Sequence, residues 1–209
     1  MANPGPTPNT MTPQIYLASA SPRRRELLTQ IGVAHTVLQV PAPPGEDEPQ
    51  HTGEAAADYV KRTAREKAER GQQWMTSQSL PALPILAADT TVILRDEVLG
   101  KPTDRAHAID MLSRLSGTTH HVHTAVVLWH NGQLHEDVSI SEVHMRTLSA
   151  DDIARYCDSG EPFGKAGAYG IQGLAGTFIA HLSGSYTGVM GLPVFETANL
   201  LRRVGILLP

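Results

Sequence analysis

Residues 15–32 point most directly to the fold, and their sequence is IYLASASPRRRELLTQIG. The apolar run from Ile15 to Ala18 predicts a short strand, and the segment that follows the turn predicts a helix ending near Gly32. Ser21 is placed to cap this helix, and Pro22 suits its first position, where no N–H is needed. The stretch therefore predicts a strand, a tight turn and a helix.

Further along the chain, strands and helices alternate before an antiparallel hairpin. The Asn131-Gly132 pair is the strongest short hairpin signal in the sequence. This order predicts an α/β fold with a mixed β-sheet flanked by helices, and it is compatible with two lobes around a cleft. The expected elements are strand 33–40, helix 54–70, a polar connection at 72–83, strand 84–94 interrupted at 88–91, a return strand ending at Leu99, a helix from Thr103 as cap to Leu115, hairpin strands 121–130 and 133–146, a helix opened by a capping box of Ser149 and Asp152, strand 177–182 and a helix from about Pro193.

Composition limits the classes of protein to which the chain can belong. The 209 residues carry a net charge of −4, which disfavours nucleic-acid binding, and the single cysteine, Cys157, fits a reducing, cytoplasmic setting. Residues 166–195 lack charged side chains, but their seven glycines and Pro193 argue against a membrane span. We expect residues 1–13 to be a disordered tail, with Met11 as an alternative start, and residues 14–209 to form one domain.

The turn SASPRRR at residues 19–25 is the first candidate site. It combines hydroxyl groups, free backbone N–H groups and guanidinium groups at the positive end of a helix, which attracts phosphate. The alternative is a capped helix with a solvated basic first turn. Because arginine is unfavourable beside the positive end of a helix dipole, the cluster favours an anion site.

Carboxylates and lysines later in the chain form the second candidate site. Asp89 follows an apolar strand, where a carboxylate at the edge of the sheet would face a ligand crevice and serve as a metal ligand or a base. Lys101 and Lys67 would face the same edge, and the acidic run 46–48 would add oxygens for Mg²⁺ or Mn²⁺. The alternatives are an Asp turn, solvated lysines and a solvated acidic loop.

The segment from Gly160 to Gly173 has too many glycines for the interior of an element, which indicates close backbone approach to a ligand. Gln172 within it offers an amide that would read a base edge. The spacing matches neither a Walker A motif nor G-x-G-x-x-G. His120, His121 and His123 cluster before the hairpin, and His121 and His123 would share a face of a strand. Without Cys or H-E-x-x-H, a metal site there is the weaker alternative.

Taken in order and spacing, these motifs resemble the Maf family of nucleoside triphosphate pyrophosphatases, from about Ile15 to Leu201. The motifs are SASPRR (19–24), ADT (88–90), GKP (100–102), LSG (115–117), KAGAYGIQG (165–173) and GLP (191–193). The resemblance implies a Maf/ITPase-like α/β fold with a deep cleft, a divalent cation (Mg²⁺ or Mn²⁺) and hydrolysis of a nucleoside triphosphate to the monophosphate and pyrophosphate. It also implies a homodimer.

The resemblance also implies residue roles. Asp89 corresponds to the catalytic carboxylate and Glu48 to the family's acidic loop position, so both are candidate metal ligands. Arg23, Thr90 and the Gly-rich segment with Gln172 resemble the dTTP/UTP subgroup, in which Thr90 and Gln172 would orient a pyrimidine. The positions that match triphosphate-binding residues are Ser19, Arg23, Arg24, Lys67 and Lys101.

The sequence leaves a second hypothesis open, namely a nucleotide-binding regulator of septum formation that does not hydrolyse its ligand. Asp89 separates the two, because binding an anion has no use for a carboxylate beside the phosphates unless a metal intervenes.

Overall fold

The computed structural model describes residues 14–41 and 48–208, and within them a seven-stranded mixed sheet is flanked by helices. The predicted tail at 1–13 and the acidic residues Glu46 and Asp47 lie outside the described residues. The elements are β1 (Ile15–Leu17), α1 (Pro22–Gln30), β2 (His35–Val37), α2 (Ala56–Ser77), β3 (Ile85–Leu94), β4 (Glu97–Leu99), α3 (Arg105–Leu115), β5 (Thr119–His130), β6 (Gln133–Met145), α4 (Ala150–Asp158), β7 (Ile179–Ser183), α5 (Tyr186–Met190) and α6 (Val194–Arg203), with 3₁₀ segments at Ala166–Ala168 and Leu174–Phe178.

The strand order confirms the predicted α/β fold. The sheet runs β2-β1-β3-β5-β6-β7, with β4 paired to β3; β1 is parallel to β2 and β3, and the remaining pairs are antiparallel. Helix α2 packs on one face through Val60, Ala64 and Ala68, while α1 and α6 cover the other. Burial on both faces explains why β3 reads as an almost continuous apolar run.

Strand β3 has a gap along one edge. On that side it pairs with β1 only at Ile85 and Leu86 and with β4 from Val92 onward, so residues 87–91 face no strand there among the described residues. On its other side, β5 pairs with β3 from Ile85 to Ile93. The predicted interruption at residues 88–91 is therefore wrong, because pairing with β5 keeps β3 continuous where β1 has already ended.

The gap coincides with a polar boundary between two hydrophobic cores. On one face of β3, Leu86 and Ala88 belong to the core of β1, α1 and α6, whereas Val92 and Leu94 belong to the core of α3 and α4. Thr90 lies between them on the same face, since alternate residues of a strand share a face. A long strand thus joins two cores that do not merge, and a cleft opens between them.

Several local predictions are confirmed. Asn131 and Gly132 have φ values of 49° and 79°, the positive values that a type I′ hairpin turn requires. Ser149 and Asp152 form a capping box at the start of α4. The return strand to Leu99 is also present.

Other local predictions are wrong. The first half of the predicted polar connection at 72–83 is helix, because α2 continues to Ser77 with Met75 buried in the core. Strand β2 is only three residues long, shorter than the predicted strand 33–40. Ser21 occupies the N-cap position of α1 but its side chain caps nothing. Asp104, rather than Thr103, caps α3 by accepting the backbone N–H of His107 at 2.8 Å.

This difference in capping predicts a difference in stability. Replacing Asp104 with Ala should lower the free energy of unfolding by about 1 kcal/mol, because it leaves an N–H of the first turn of α3 without its partner. Urea denaturation measures this loss. Thr103→Ala is the matched control and should cost less; an equal or larger loss in Thr103→Ala would contradict the assignment of the cap.

Candidate active site

A cleft of about 1310 Å³ lies at the gap beside β3. Its walls come from the β1–α1 turn, α2, β3, the segment after β4 and the Gly-rich segment. The structure therefore brings together every described residue that the sequence nominated for the site. The residues are Ser19, Arg23, Arg24, Glu48, Lys67, Asp89, Thr90, Lys101 and Gln172.

The N-terminus of α1 points two arginines at the cleft. No side chain caps this helix, so backbone N–H groups of its first turn stay available. The Nε atom of Arg23 is buried and has no hydrogen-bond partner among the described residues. A buried cationic donor beside uncapped N–H groups is an arrangement that an anion would complete.

Arg24 is held in place by its surroundings. Its Nε donates to the carbonyl of Gly191 at 2.7 Å, and its two terminal nitrogens donate to Ser19 Oγ at 3.1 Å and Thr90 Oγ1 at 3.2 Å. Thr90 Oγ1 also lies 3.1 Å from the hydroxyl of Thr124. Thr90, predicted as a base-orienting residue, is thus placed as a support for Arg24 on the face of β3 opposite to Asp89.

Lys67 of α2 bridges two carboxylates at the cleft. Its Nζ lies 2.7 Å from Asp89 Oδ1 and 2.6 Å from Glu48 Oε1. Asp89 is 5% exposed, and its other oxygen accepts the hydroxyl of Thr91 at 3.1 Å. The predicted convergence of Lys67 and Asp89 is therefore observed, although Asp89 lies within β3 and beyond the end of β1 rather than after a strand.

The charges around Asp89 determine its ionisation. Burial opposes the charged form, but the charge and hydrogen bond of Lys67, the charge of Arg24 and a hydrogen bond from Thr63 outweigh it, so the pKa of Asp89 is lowered from its ordinary value. Asp89 is consequently a carboxylate at neutral pH. The same compact group lowers the pKa of Arg24 through burial, which Asp89 and Glu48 partly offset.

The Gly-rich segment forms the wall opposite α1, and its glycines meet protein atoms. A Cβ on Gly167 would come within 2.9 Å of Val92 Cγ1, and one on Gly173 within 2.4 Å of Glu161 Oε1. These two close approaches are to atoms of this chain, whereas Gly164 and Gly170 line the cleft, so the expected close approach of the backbone to a ligand stays a prediction. Gln172 lies exposed on this wall beside the cleft.

A buried hydrogen bond lies beneath this wall. His120 Nε2 is 2.7 Å from the hydroxyl of Tyr169, and both side chains are buried. The sequence drew attention to His120 only as part of a histidine cluster. Sequence reasoning also missed Thr63, Thr91 and Thr124, because single threonines in apolar strands and helices carry no signal that distinguishes them from core residues.

No group of three or more His, Cys, Asp and Glu side chains in the described part of the chain is arranged to hold a metal. The rings of His121 and His123 contact each other edge to face, with centroids 6.3 Å apart. Among the described residues, no third His, Cys, Asp or Glu completes a metal-binding group with them. Glu48 and Asp89 are the two carboxylates at the cleft that Lys67 bridges. None of the described helices has the length and apolarity needed to cross a bilayer.

An uncapped helix N-terminus, converging cationic side chains and a buried carboxylate make this an α/β protein with a cleft whose chemistry suits a phosphate ligand. Residues 14–204 match the family described as Maf-like protein, and the chain belongs to this family. It is 71% identical over 197 residues to a dTTP/UTP pyrophosphatase of Bordetella pertussis, covering 94% of this chain and 95% of that protein. Proteins with the same name from Bordetella avium (73%, 94% of this chain and 98% of that protein) and Cupriavidus metallidurans (50%, 94% and 99%) are also similar.

The buried His120 predicts a pH dependence of stability. Burial lowers the pKa of His120 to about 4, whereas an unfolded chain binds the proton near pH 6.5. Because the unfolded state then binds more protons, His120 should cost up to about 3 kcal/mol of stability as pH falls from about 6.5 to about 4. Urea denaturation across this range should show a steeper loss in wild type than in His120→Gln. Equal slopes would contradict the buried neutral imidazole.

Proposed function

We propose that this chain hydrolyses dTTP and UTP to the nucleoside monophosphate and pyrophosphate. The observation that carries the proposal is the buried, ionised Asp89 beside a cleft lined by Arg23, Arg24, Lys67 and Lys101. Membership of the Maf family and relatives at 71–73% identity named dTTP/UTP pyrophosphatase support the same reaction.

Binding the triphosphate is the task of the cationic side chains. A nucleoside triphosphate repels an attacking oxygen until its charge is neutralised. Arg23 would use its unpartnered Nε, with the uncapped N–H groups of α1 beside it, while Lys101 reaches the cleft from the segment after β4. Arg24 is already fixed by three hydrogen bonds and would add charge without having to be reoriented.

Asp89 would serve the attacking water. The oxygen of the water forms a bond to the α-phosphorus, the bond from that phosphorus to the bridging oxygen breaks, and pyrophosphate leaves. Asp89 Oδ2, which accepts the hydroxyl of Thr91, would take up or orient the proton of the water. Thr91 and Lys67 would hold the carboxylate in one orientation during this step.

The residues at the cleft also fit a divalent cation. Glu48 and Asp89 contact the same ammonium group, so their oxygens are close enough to share one cation, and Mg²⁺ commonly takes one or two carboxylates together with substrate phosphates. Such an ion, when bound, would neutralise phosphate charge and lower the pKa of water. We therefore propose Glu48 and Asp89 as the ligands of Mg²⁺ or Mn²⁺.

Release of pyrophosphate from a panel of nucleoside triphosphates tests the reaction. The panel contains dTTP, UTP, CTP, GTP and 7-methyl-GTP, each with Mg²⁺, Mn²⁺ or EDTA. We expect metal-dependent turnover led by dTTP and UTP. Tight binding of a nucleotide without release of pyrophosphate would instead support the nucleotide-binding regulator.

We also propose that the protein forms a homodimer, is located in the cytoplasm and has no nucleic-acid partner.

Asp89→Asn preserves the shape of the side chain but removes its charge and most of its proton affinity. We expect kcat to fall by about 100- to 10,000-fold, the range that a positioned acid or base contributes. Steady-state assays with UTP measure this, and circular dichroism checks the fold. Asp96→Asn in the exposed β3–β4 turn is the matched control and should keep wild-type kcat; near-wild-type activity in Asp89→Asn would refute the proposed role.

Gln172→Glu tests base reading. The amide both donates and accepts hydrogen bonds, whereas a carboxylate only accepts, so it loses a partner for a pyrimidine carbonyl and gains one for an exocyclic amino group. We expect the ratio of kcat/KM for UTP over CTP to fall about tenfold or more, without a change in metal dependence. An unchanged ratio would place base reading elsewhere.

A further inference from the structure

Glu161 ties both ends of the Gly-rich wall to one residue. Its carboxylate accepts the backbone N–H of Leu174 at 2.9 Å through Oε2, and the N–H of Ala175 at 3.3 Å through Oε1. Its own backbone carbonyl accepts the ammonium group of Lys165. The chain from Lys165 to Leu174 is thus closed into a loop on Glu161.

A buried tyrosine also donates a hydrogen bond to the carboxylate of Glu161. The hydroxyl of Tyr156 in α4 donates to Glu161 Oε1 at 3.0 Å, and Tyr156 is 3% exposed. Three donors, two from the backbone and one from a side chain, therefore converge on one carboxylate. Hydrogen bonds to a carboxylate are about twice as strong as neutral ones, so these contacts are well suited to hold a loop whose regular structure is limited to short 3₁₀ segments.

Two glycines of the loop pack so closely that neither position has free space for a side chain. A Cβ on Gly173 would overlap the carboxylate of Glu161, and one on Gly170 would lie 3.1 Å from the Lys165 side chain and 3.2 Å from Gln172 Nε2. Gln172 is therefore flanked by two glycines that pack against the Glu161 and Lys165 side chains. The contacts of these glycines with Lys165 and Glu161 therefore fix the backbone that carries the amide of Gln172.

We propose that Glu161 is a positioning residue for base selection: its carboxylate holds the Gly-rich wall so that the amide of Gln172 meets the nucleobase in a preset orientation. This inference rests on the proposed function. Glu161 is not among the residues that line the cleft, so it would act on the base through the backbone on either side of Gln172. Arg24 on α1 and Lys67 on α2 are held by contacts that do not involve Glu161.

Glu161→Gln tests the inference, because the amide keeps the shape but turns an N–H group toward donors that need an acceptor. We expect the ratio of kcat/KM for UTP over CTP to fall about tenfold, mainly through KM for UTP, with kcat within about threefold of wild type. Glu142→Gln, an exposed glutamate on β6, is the matched control and should leave the ratio unchanged.

A double-mutant cycle separates positioning from a general structural role. If Glu161 acts through Gln172, adding Glu161→Gln to Gln172→Ala should not lower the ratio further. Tyr156→Phe removes one donor to the carboxylate and provides a milder second variant, which should shift the ratio in the same direction. If thermal denaturation shows that Glu161→Gln is not folded, Tyr156→Phe is used in its place.

The outcomes distinguish the inference from the proposed function. A wild-type enzyme that prefers UTP, with the ratio lowered in Glu161→Gln but not further in the double variant, supports the inference. The inference is overturned, and the proposed function stays intact, if Glu161→Gln and Tyr156→Phe both keep the wild-type ratio of kcat/KM for UTP over CTP. The same holds if the loss of this ratio in Glu161→Gln is additive with the loss in Gln172→Ala. A wild-type chain with no turnover or no base preference overturns both.

Discussion

The site depends on one mismatch in length, that between β1 and β3. Strand β1 ends at Leu17 because its chain turns into α1, while β3 continues to Leu94 on the support of β5. The uncovered edge of β3 receives the N-terminus of α1 at one end and the β3–β4 hairpin at the other. Asp89 and Thr90 lie in this interval and face opposite sides of the sheet, so one short stretch supplies a carboxylate to the α2 side and a support for Arg24 to the other.

Charge pairing offsets the cost of burying Asp89. A buried carboxylate is costly unless it is paired, and Lys67 contacts both Asp89 and Glu48 at the cleft. This arrangement keeps Asp89 ionised and places a cation in the cleft, where a triphosphate would bring negative charge. The Gly-rich wall has a different basis, since its order comes from Glu161, Tyr156 and the buried His120–Tyr169 contact rather than from an ion pair in the cleft.

Much of this could be read from the sequence, and the failures have physical causes. Asn131-Gly132 and the Ser149 capping box are local signals that nothing in the tertiary structure overrides. The break expected at Asp89 does not occur because pairing with β5 outweighs the polarity of residues 88–91. Helix α2 continues through the polar residues after Arg70 because Met75 is buried in the core. The cleft residues were identifiable through their spacing and family resemblance; Glu161 and His120 were not identified as site residues, because their partners are backbone N–H groups and a hydroxyl that only the fold brings near.

In the proposed reaction, Asp89 and the cations around it direct water to the α-phosphorus of a nucleoside triphosphate. Hydrolysis of UTP in water enriched in oxygen-18, with the products examined by mass spectrometry, tests this step. The label should appear in UMP, and pyrophosphate should be unlabelled. Label in pyrophosphate, or in phosphate released with UDP, would show attack at another phosphorus and would refute the proposed reaction.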